Sequence, residues 1–295
     1  MPKMCSEAAA PCQRTTLHGP TMGTRWSVSA DVGASVNLAA LRQDLAAAVQ
    51  QVDAQMSPWK QQSDLLRLNC TPIDAWVELP PAMLEVLACA LHIHQQSAGA
   101  FDPCVGALVD AWGFGAARDA PDAGAIHAAR QAAPGPLHQG LELDLAAGRA
   151  RRRAPVQLDL CGIAKGYAVD CMAAVLRQHG VRHALAALDG ELRAVGGQAG
   201  GAPWAVALEA PDAGQRAVRG VIELQDLAVA TSGDYRHCME ADAWATALLV
   251  AGPSEGLGLA QRHGLEALFL LRRPQGLVEL GLGRFGAACA LQSPP

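Results

Sequence analysis

The sequence predicts an α+β fold: largely antiparallel sheets flanked by helices, in one compact domain that closes on a C-terminal hairpin. Three observations lead there. Arg25 to Val32 alternates polar and apolar residues, which puts Trp26, Val28, Ala30 and Val32 on one face of a strand. Leu38, Leu41, Leu45, Val49, Val52 and Met56 recur at spacings of three and four, as on an amphipathic helix. Strand-like runs at 184–188, 192–195, 204–208 and 221–224 are separated by glycine and proline turns, which calls for antiparallel pairing.

Composition bounds the possibilities. With 295 residues, 51% of them hydrophobic, the chain can bury a large core. A net charge of -5 argues against a nucleic-acid surface, and the basic run Arg151-Arg152-Arg153 reads as a solvated edge strand. Nine cysteines, an odd number without C-x-x-C, give neither a disulfide framework nor a zinc pattern and favour a reducing compartment. Residues 1–14 read as a disordered tail, and 15–295 as one domain without repeat or linker. No signal peptide, lipobox or membrane-length apolar run is visible, so a cytoplasmic location is expected.

Taken in order, Asn37 caps the helix that ends at Ser57-Pro58. Pro81 opens a second helix, with Leu84, Leu87 and Leu91 inward and Gly99 as its stop. His92 and His94 fall on different faces of it and make a poor metal pair. A helix from about 122 to 133 and a hairpin over 141–154 follow. Val156-Gln157-Leu158-Asp159-Leu160 alternates like a half-buried strand, and Ala164, Ala168, Cys171, Met172, Val175 and Leu176 recur at helical spacing up to His179-Gly180. Ser254 caps a short helix after Pro253, and 267–271 with 277–280 form the closing hairpin.

Two places carry chemistry. Between the 156–160 run and its helix, Gly162 and Gly166 make a turn whose free N–H groups and helix-dipole end suit a phosphate, with Lys165 adding a cation. Taken alone, glycines at such a turn serve structure more often than phosphate. Asp242 and Thr246, four apart, share one helical face. They are either a hard, all-oxygen ligand pair suited to Mg²⁺, or a capping Asp and a threonine bonding back to the i−4 carbonyl.

The string Asp159-Leu160-Cys161-Gly162-Ile163-Ala164-Lys165-Gly166-Tyr167-Ala168-Val169-Asp170 resembles the central motif of the ApbE family, the FAD:protein FMN transferases. Other segments resemble that family's motifs in order. Thr21-Met22-Gly23-Thr24 is similar to its opening T-M-G-T, and Met56 to Asn69 to M-S-x-[YW]-x-x-x-S-[ED]-[LI]-x-x-[LI]-N. Gly99 to Gly115 is similar to its G-x-F-D…W-G-[FW]-G segment, with Ala107 where the family prefers proline. Asp189-Gly190-Glu191-Leu192-Arg193 stands where it has G-G-[ED]-[IL]-[RY], with Asp189 at a usual glycine. Val229 to Tyr235 and Met239 to Leu248 are similar to its [VI]-A-T-S-G-[DN]-Y and A-D-A-[LW]-[AS]-T-A segments.

The resemblance implies an FAD site with the pyrophosphate at the Gly162–Gly166 turn and the flavin near Met22, Trp59 and Trp112. Asp102, Gly162, Lys165, Asp170, Glu191 and Ser232 would complete it. Mg²⁺ would sit on Asp242, Thr246 and the Ala164 carbonyl and bridge the FAD phosphates. Lys165 and Asp159 are the implied catalytic groups; for Asp159 and Asp170 a purely structural role stands equally open. The acceptor would be a flavoprotein with a Ser or Thr hydroxyl, and AMP the leaving group. One segment departs from the family: only Arg236-His237-Cys238 separates Tyr235 from Met239, where relatives carry a strand, an H-x-[IL]-[DN]-P-[RK]-T-G loop and another strand. His237 is then the candidate base. Two alternatives follow from the gap: an FAD-binding relative without catalysis, and an Mg-dependent FAD pyrophosphatase.

Overall fold

Two strands joined by a two-residue turn begin this computed structural model, which describes residues 12–131, 140–209, 218–231, 233–235, 238–273 and 276–286. They are β1 (Gln13–Thr21) and β2 (Thr24–Val32), paired antiparallel from Gln13↔Val32 to Thr21↔Thr24. The expected tail therefore gives up Gln13 and Arg14; residues 1–11 lie outside the described residues. Arg14 is held by an ion pair of 2.7 Å to Asp31 and stacks over the Trp204 ring at 4.8 Å. That guanidinium, hydrogen-bonded to Asp31, holds the Asp31 carboxyl below the usual carboxylate range.

Helices α1 (Leu38–Met56), α2 (Asp64–Cys70) and α3 (Pro81–Gln96) follow. Asn37 caps α1 by accepting from the N–H groups of Ala39 and Ala40, and Ser63 caps α2 through Leu66. The apolar stripe of α1 is buried at Leu41, Leu45, Val49, Val52 and Met56, each burial contributing roughly 1.5–3 kcal/mol. In α3 the buried set is Met83, Leu84, Val86, Leu87, Ala90 and Ile93, and Leu91, half-buried, packs against the same core. Short helices α4 (Gly106–Ala111) and α5 (Ala123–Gln131) come next.

A small sheet has the order β3 (Val77–Glu78), β5 (Arg149–Arg152) and β4 (Leu141–Asp144). The basic run was expected on an edge, but β5 is central. Its arginines are not left to solvent. Arg149 and Arg151 stack on Trp76 at 4.5 and 4.3 Å, Arg151 and Arg153 pair with Glu142, and Arg152 donates to the carbonyls of Leu68 and Val156.

The 156–160 run is not a strand. Its alternation is real, with Val156, Leu158 and Leu160 buried, but among the described residues its strand pairing is a single parallel bridge, Val105↔Gln157. Side chain and loop groups take the place of a ladder: Asn69 bonds both the N–H and the carbonyl of Leu158, and the Asp159 N–H donates to Pro103. The chain then enters α6 (Ala164–Gln178), which ends where Gly180 turns left-handed at φ 73°.

Beyond it lie β6 (Ala184–Leu188), β7 (Glu191–Val195), β8 (Trp204–Glu209), β9 (Val218–Leu224), β10 (Ala228–Ala230) and β11 (Gly233–Tyr235). The main sheet runs β1-β2-β6-β7-β10-β11, antiparallel throughout, while β8 and β9 pair apart from it. The last helix, α7 (Cys238–Arg262), is broken at Gly252 (φ 72°), just before Pro253, so the expected short helix is its second half. The closing hairpin is β12 (Ala267–Arg273) with β13 (Gly276–Leu282).

α6 packs against α1, α7 and the β6–β7 pair. It buries Ala168, Met172 and Leu176 in one core with Trp26 and Val28 of β2 and Ala184 and Ala186 of β6. Its crossing with α7 is close: a Cβ on Gly166 would lie 2.2 Å from the Cys238 carbonyl oxygen. Burial raises the Cys89 and Cys104 thiols to about 12 and Cys171 to about 11, so none of the three is poised as a thiolate. No described helix is long and apolar enough to cross a membrane.

Candidate functional site

Strand register gathers three tight turns at one end of the main sheet. Thr21↔Thr24 leaves Met22 and Gly23 as the β1–β2 turn, and both have positive φ, 46° and 71°. This is the pattern of the primed hairpin turns, where a bulky first residue such as Met is costly. Trp26↔Leu188 places the β6–β7 turn, Asp189-Gly190, beside it, and Asp189 is also left-handed at φ 57°. Val229↔Leu192 brings up the β10–β11 turn, where Thr231 Oγ1 donates to the Gly190 carbonyl at 2.9 Å. Two of the described non-glycine residues with positive φ thus share one rim, and strained backbone of this kind concentrates at functional sites.

The N-terminus of α6 meets that rim. Gly162 approaches α7 so closely that a Cβ on it would stand 2.8 Å from Thr246 Oγ1. Gly166 N–H donates to Asp242 Oδ2 at 3.0 Å, so the carboxylate from α7 already occupies one of the expected anion-binding amides. Thr246 Oγ1 donates to the Asp242 carbonyl at 3.2 Å, the i−4 bond, which leaves its lone pairs unused by that contact. The sequence posed ligand pair and capping pair as alternatives; the capping bonds are present, and the two side chains still stand together beside the Gly162–Gly166 turn.

Lys165 is the local cation. Its Nζ lies 3.2 Å from Asp189 Oδ2 and 3.5 Å from Glu191 Oε2. Burial works against its charge, but Glu191, Asp189 and Asp242 together outweigh it and raise its pKa. Glu191 is 6% exposed and its Oε2 has no hydrogen bond; burial raises its pKa, against the pull of Lys165. Asp242 is 5% exposed, and burial, followed by repulsion from Glu191, lifts it to about 7 in spite of the Gly166 N–H and Lys165. Three carboxylates and one lysine leave this corner strongly negative once all are charged.

The remaining expected site residues divide. Asp159 accepts from Cys161 N–H at 2.8 Å and shapes the turn, while also lining a cleft of about 270 Å³ with Pro58, Asn69, Gly106, Asp110 and Leu158. Trp59 and Trp112 lie in the segments that border this cleft and are 58% and 44% exposed. Asp102 accepts from Cys104 N–H at 2.8 Å in a local turn. Asp170 is committed elsewhere: it pairs with Arg193 and accepts from the N–H groups of Cys238 at 3.1 Å and Met239 at 2.9 Å. Ser232 and His237 lie outside the described residues. Asn69, Arg193 and Gly166 matter more than spacing alone could tell, because their partners lie 89, 23 and 76 residues away.

Among the described residues no three His, Cys, Asp or Glu side chains converge as a metal centre. A cation in this corner would therefore use a hydroxyl and a carbonyl besides carboxylate. That donor chemistry fits Mg²⁺, and the buried Glu191 oxygen near Asp242, paired with Lys165 at 3.5 Å but without a hydrogen bond, adds to the negative charge that a cation would relieve.

Comparisons with known proteins bear on the family and the fold. Residues 22–240 match the model of the ApbE family. The FAD:protein FMN transferase of Haemophilus influenzae is 30% identical, over 91% of this chain and 91% of its own. That of Vibrio cholerae is 29% identical, over 93% and 92%. Among solved structures, the flavin transferase ApbE from Vibrio cholerae superposes with a TM-score of 0.84 at 25% identity, covering 93% of this chain and 99% of that one. The apo form of the flavinyl transferase ApbE from Pseudomonas stutzeri gives 0.83 at 29%, covering 94% and 97%.

Proposed function

The chain belongs to the ApbE family, and on that premise we propose that it binds FAD and transfers the FMN moiety to a Ser or Thr hydroxyl of an acceptor flavoprotein, releasing AMP. The observation that carries this reading is the convergence of Gly162, Lys165, Asp242 and Thr246 at the rim of three hairpin turns. The pyrophosphate would lie at the α6 N-terminus, and the flavin would reach toward Met22, Trp59 and Trp112.

In the transfer, the acceptor oxygen bonds to the FMN-side phosphorus as the bridging P–O bond breaks, and the bridging oxygen leaves with AMP. Little covalent chemistry is asked of the protein; positioning and charge stabilisation dominate. Lys165 would meet the developing negative charge. Asp242, Thr246 and the Ala164 carbonyl would hold Mg²⁺, which when bound supplies charge neutralisation at the phosphates. Asp159 and Asn69 would keep the turn in place through Cys161 and Leu158. The acceptor proton would pass to a base, for which His237 is the candidate.

A second reading is favoured by one observation: β11 ends at Tyr235 and α7 begins at Cys238, which leaves two residues for a segment that the family resemblance makes much longer. On this reading FAD binds but transfer is slow, or water replaces the acceptor. Incubation with FAD, Mg²⁺ and a candidate acceptor, read as flavin fluorescence on a denaturing gel, tests the first. AMP release without acceptor marks hydrolysis, and FAD binding with neither product marks a non-catalytic relative.

A further inference from the structure

We infer that Asp189 is a specificity-determining residue that competes with the anionic substrate for Lys165, a counter-ion lock built into the β6–β7 turn. The inference rests on the reading of this corner as a phosphate site and goes beyond it. Lys165 Nζ sits 3.2 Å from Asp189 Oδ2, and its other near carboxylate, Glu191, lies 3.5 Å away and is buried. The two carboxylates differ in what they can do. Glu191 is fixed in β7, whereas the Asp189 side chain is 58% exposed on a turn and can swing away without uncovering core.

The backbone holds Asp189 where it stands. At φ 57° it takes a left-handed conformation that Asp tolerates better than most L-residues, and the next residue, Gly190, is pinned in place because a Cβ there would lie 1.9 Å from Thr231 Oγ1. A carboxylate is thus held in a left-handed conformation at a spot on this turn from which it reaches Lys165. With Asp189 in place, Lys165 is already neutralised, and a phosphate arriving there must displace one carboxylate and tolerate another. Phosphates bearing a bound cation gain relative to bare ones, since the cation offsets the acidic side chains that Lys165 alone does not.

Binding of FAD and of inorganic pyrophosphate to the full chain, wild type and Asp189→Asn, with and without Mg²⁺, tests this. The Asn variant keeps the size and the left-handed tolerance and removes only the charge. Without Mg²⁺ it should bind pyrophosphate roughly three- to tenfold more tightly, the scale of a partly exposed ion pair plus one removed repulsion. The gain should shrink with added salt. In a Lys165→Met background the same change should give a clearly smaller gain, because the lysine is what the two anions contend for. Unchanged pyrophosphate affinity in Asp189→Asn, or an equal gain with Lys165 absent, would overturn the lock. Failure of every variant to bind FAD would instead count against the flavin reading, while the pyrophosphate arm still decides the role of Asp189.

Discussion

Asp170 and Asp242 cap each other's helices: Asp170, on α6, accepts the N–H groups of Cys238 and Met239 at the start of α7, and Asp242, on α7, accepts Gly166 N–H at the start of α6. Each carboxylate also meets the positive end of the opposing helix dipole. The pair fixes where the two helices enter the site, and the close passage of Gly166 past Cys238 leaves no room for adjustment.

Removing the Asp170 cap should act at a distance. Asp170→Ala strands two backbone donors and the half-buried Arg193, at a cost of roughly 2–4 kcal/mol. Because it also frees the start of α7, FAD binding should weaken more than the loss of one hydrogen bond explains. Denaturant unfolding and FAD titration of the same variant check both; a full cost in stability with unaltered FAD affinity would separate Asp170 from the site.

Asp242 should show opposite effects with and without cation. Its folded pKa of about 7 lies above the ordinary value, so the native state binds more protons than the unfolded one between about pH 4 and 7. Stability in a chelator is therefore greatest at the acid end of that window and falls as pH rises through it, by on the order of 4 kcal/mol for this group. Added Mg²⁺ should flatten the decline. Asp242→Asn, which keeps an acceptor for Gly166 N–H, should be more stable than wild type at pH 8 in chelator and gain nothing from Mg²⁺. Thermal melts across pH decide it.

The sequence carried the architecture well and the site unevenly. The α1 stripe and the alternation in β2 are local signals, and both elements formed as their periods require. The 156–160 run misled because alternation reports burial, not strand pairing; its backbone is satisfied by Asn69 and Pro103, which no local pattern announces. The edge placement of Arg151 failed for a related reason: stacking on Trp76 lets a basic strand sit between two others. That Asp242 and Thr246 share one helical face was legible from their spacing, but burial of Asp242 by α6 was not, since it arises from a contact 76 residues apart.

Trp59 offers a test with little structural cost. The residue is 58% exposed, so Trp59→Ala should leave the melting temperature nearly unchanged. If the ring stacks on flavin, FAD affinity should fall by about 1–3 kcal/mol. Unaltered affinity would remove Trp59 from the site.

The short passage from β11 to α7 bears on rate. General-base help is worth about 10²–10⁴, whereas a prepared phosphate pocket acts without it. FAD binding should therefore persist while transfer is slow. His237→Ala should cost a further large factor if His237 serves as base. Transfer as fast as in relatives with the longer segment, and indifferent to His237→Ala, would show that no histidine is needed there.

The three turns at the rim of the main sheet have one more consequence, for how this chain can change length. Two-residue connections between paired strands hold no slack, and each strand residue spans about 3.3 Å. One residue added to β2 or β6 would either carry a turn away from Lys165 or exchange the two faces of the strand, sending Trp26 or Leu188 outward. The segments 33–37, after β2, and 196–203, after β7, leave the sheet at its far end and bear neither penalty. Drift in length among proteins built this way should accumulate there, and the rim should keep its count while its side chains vary.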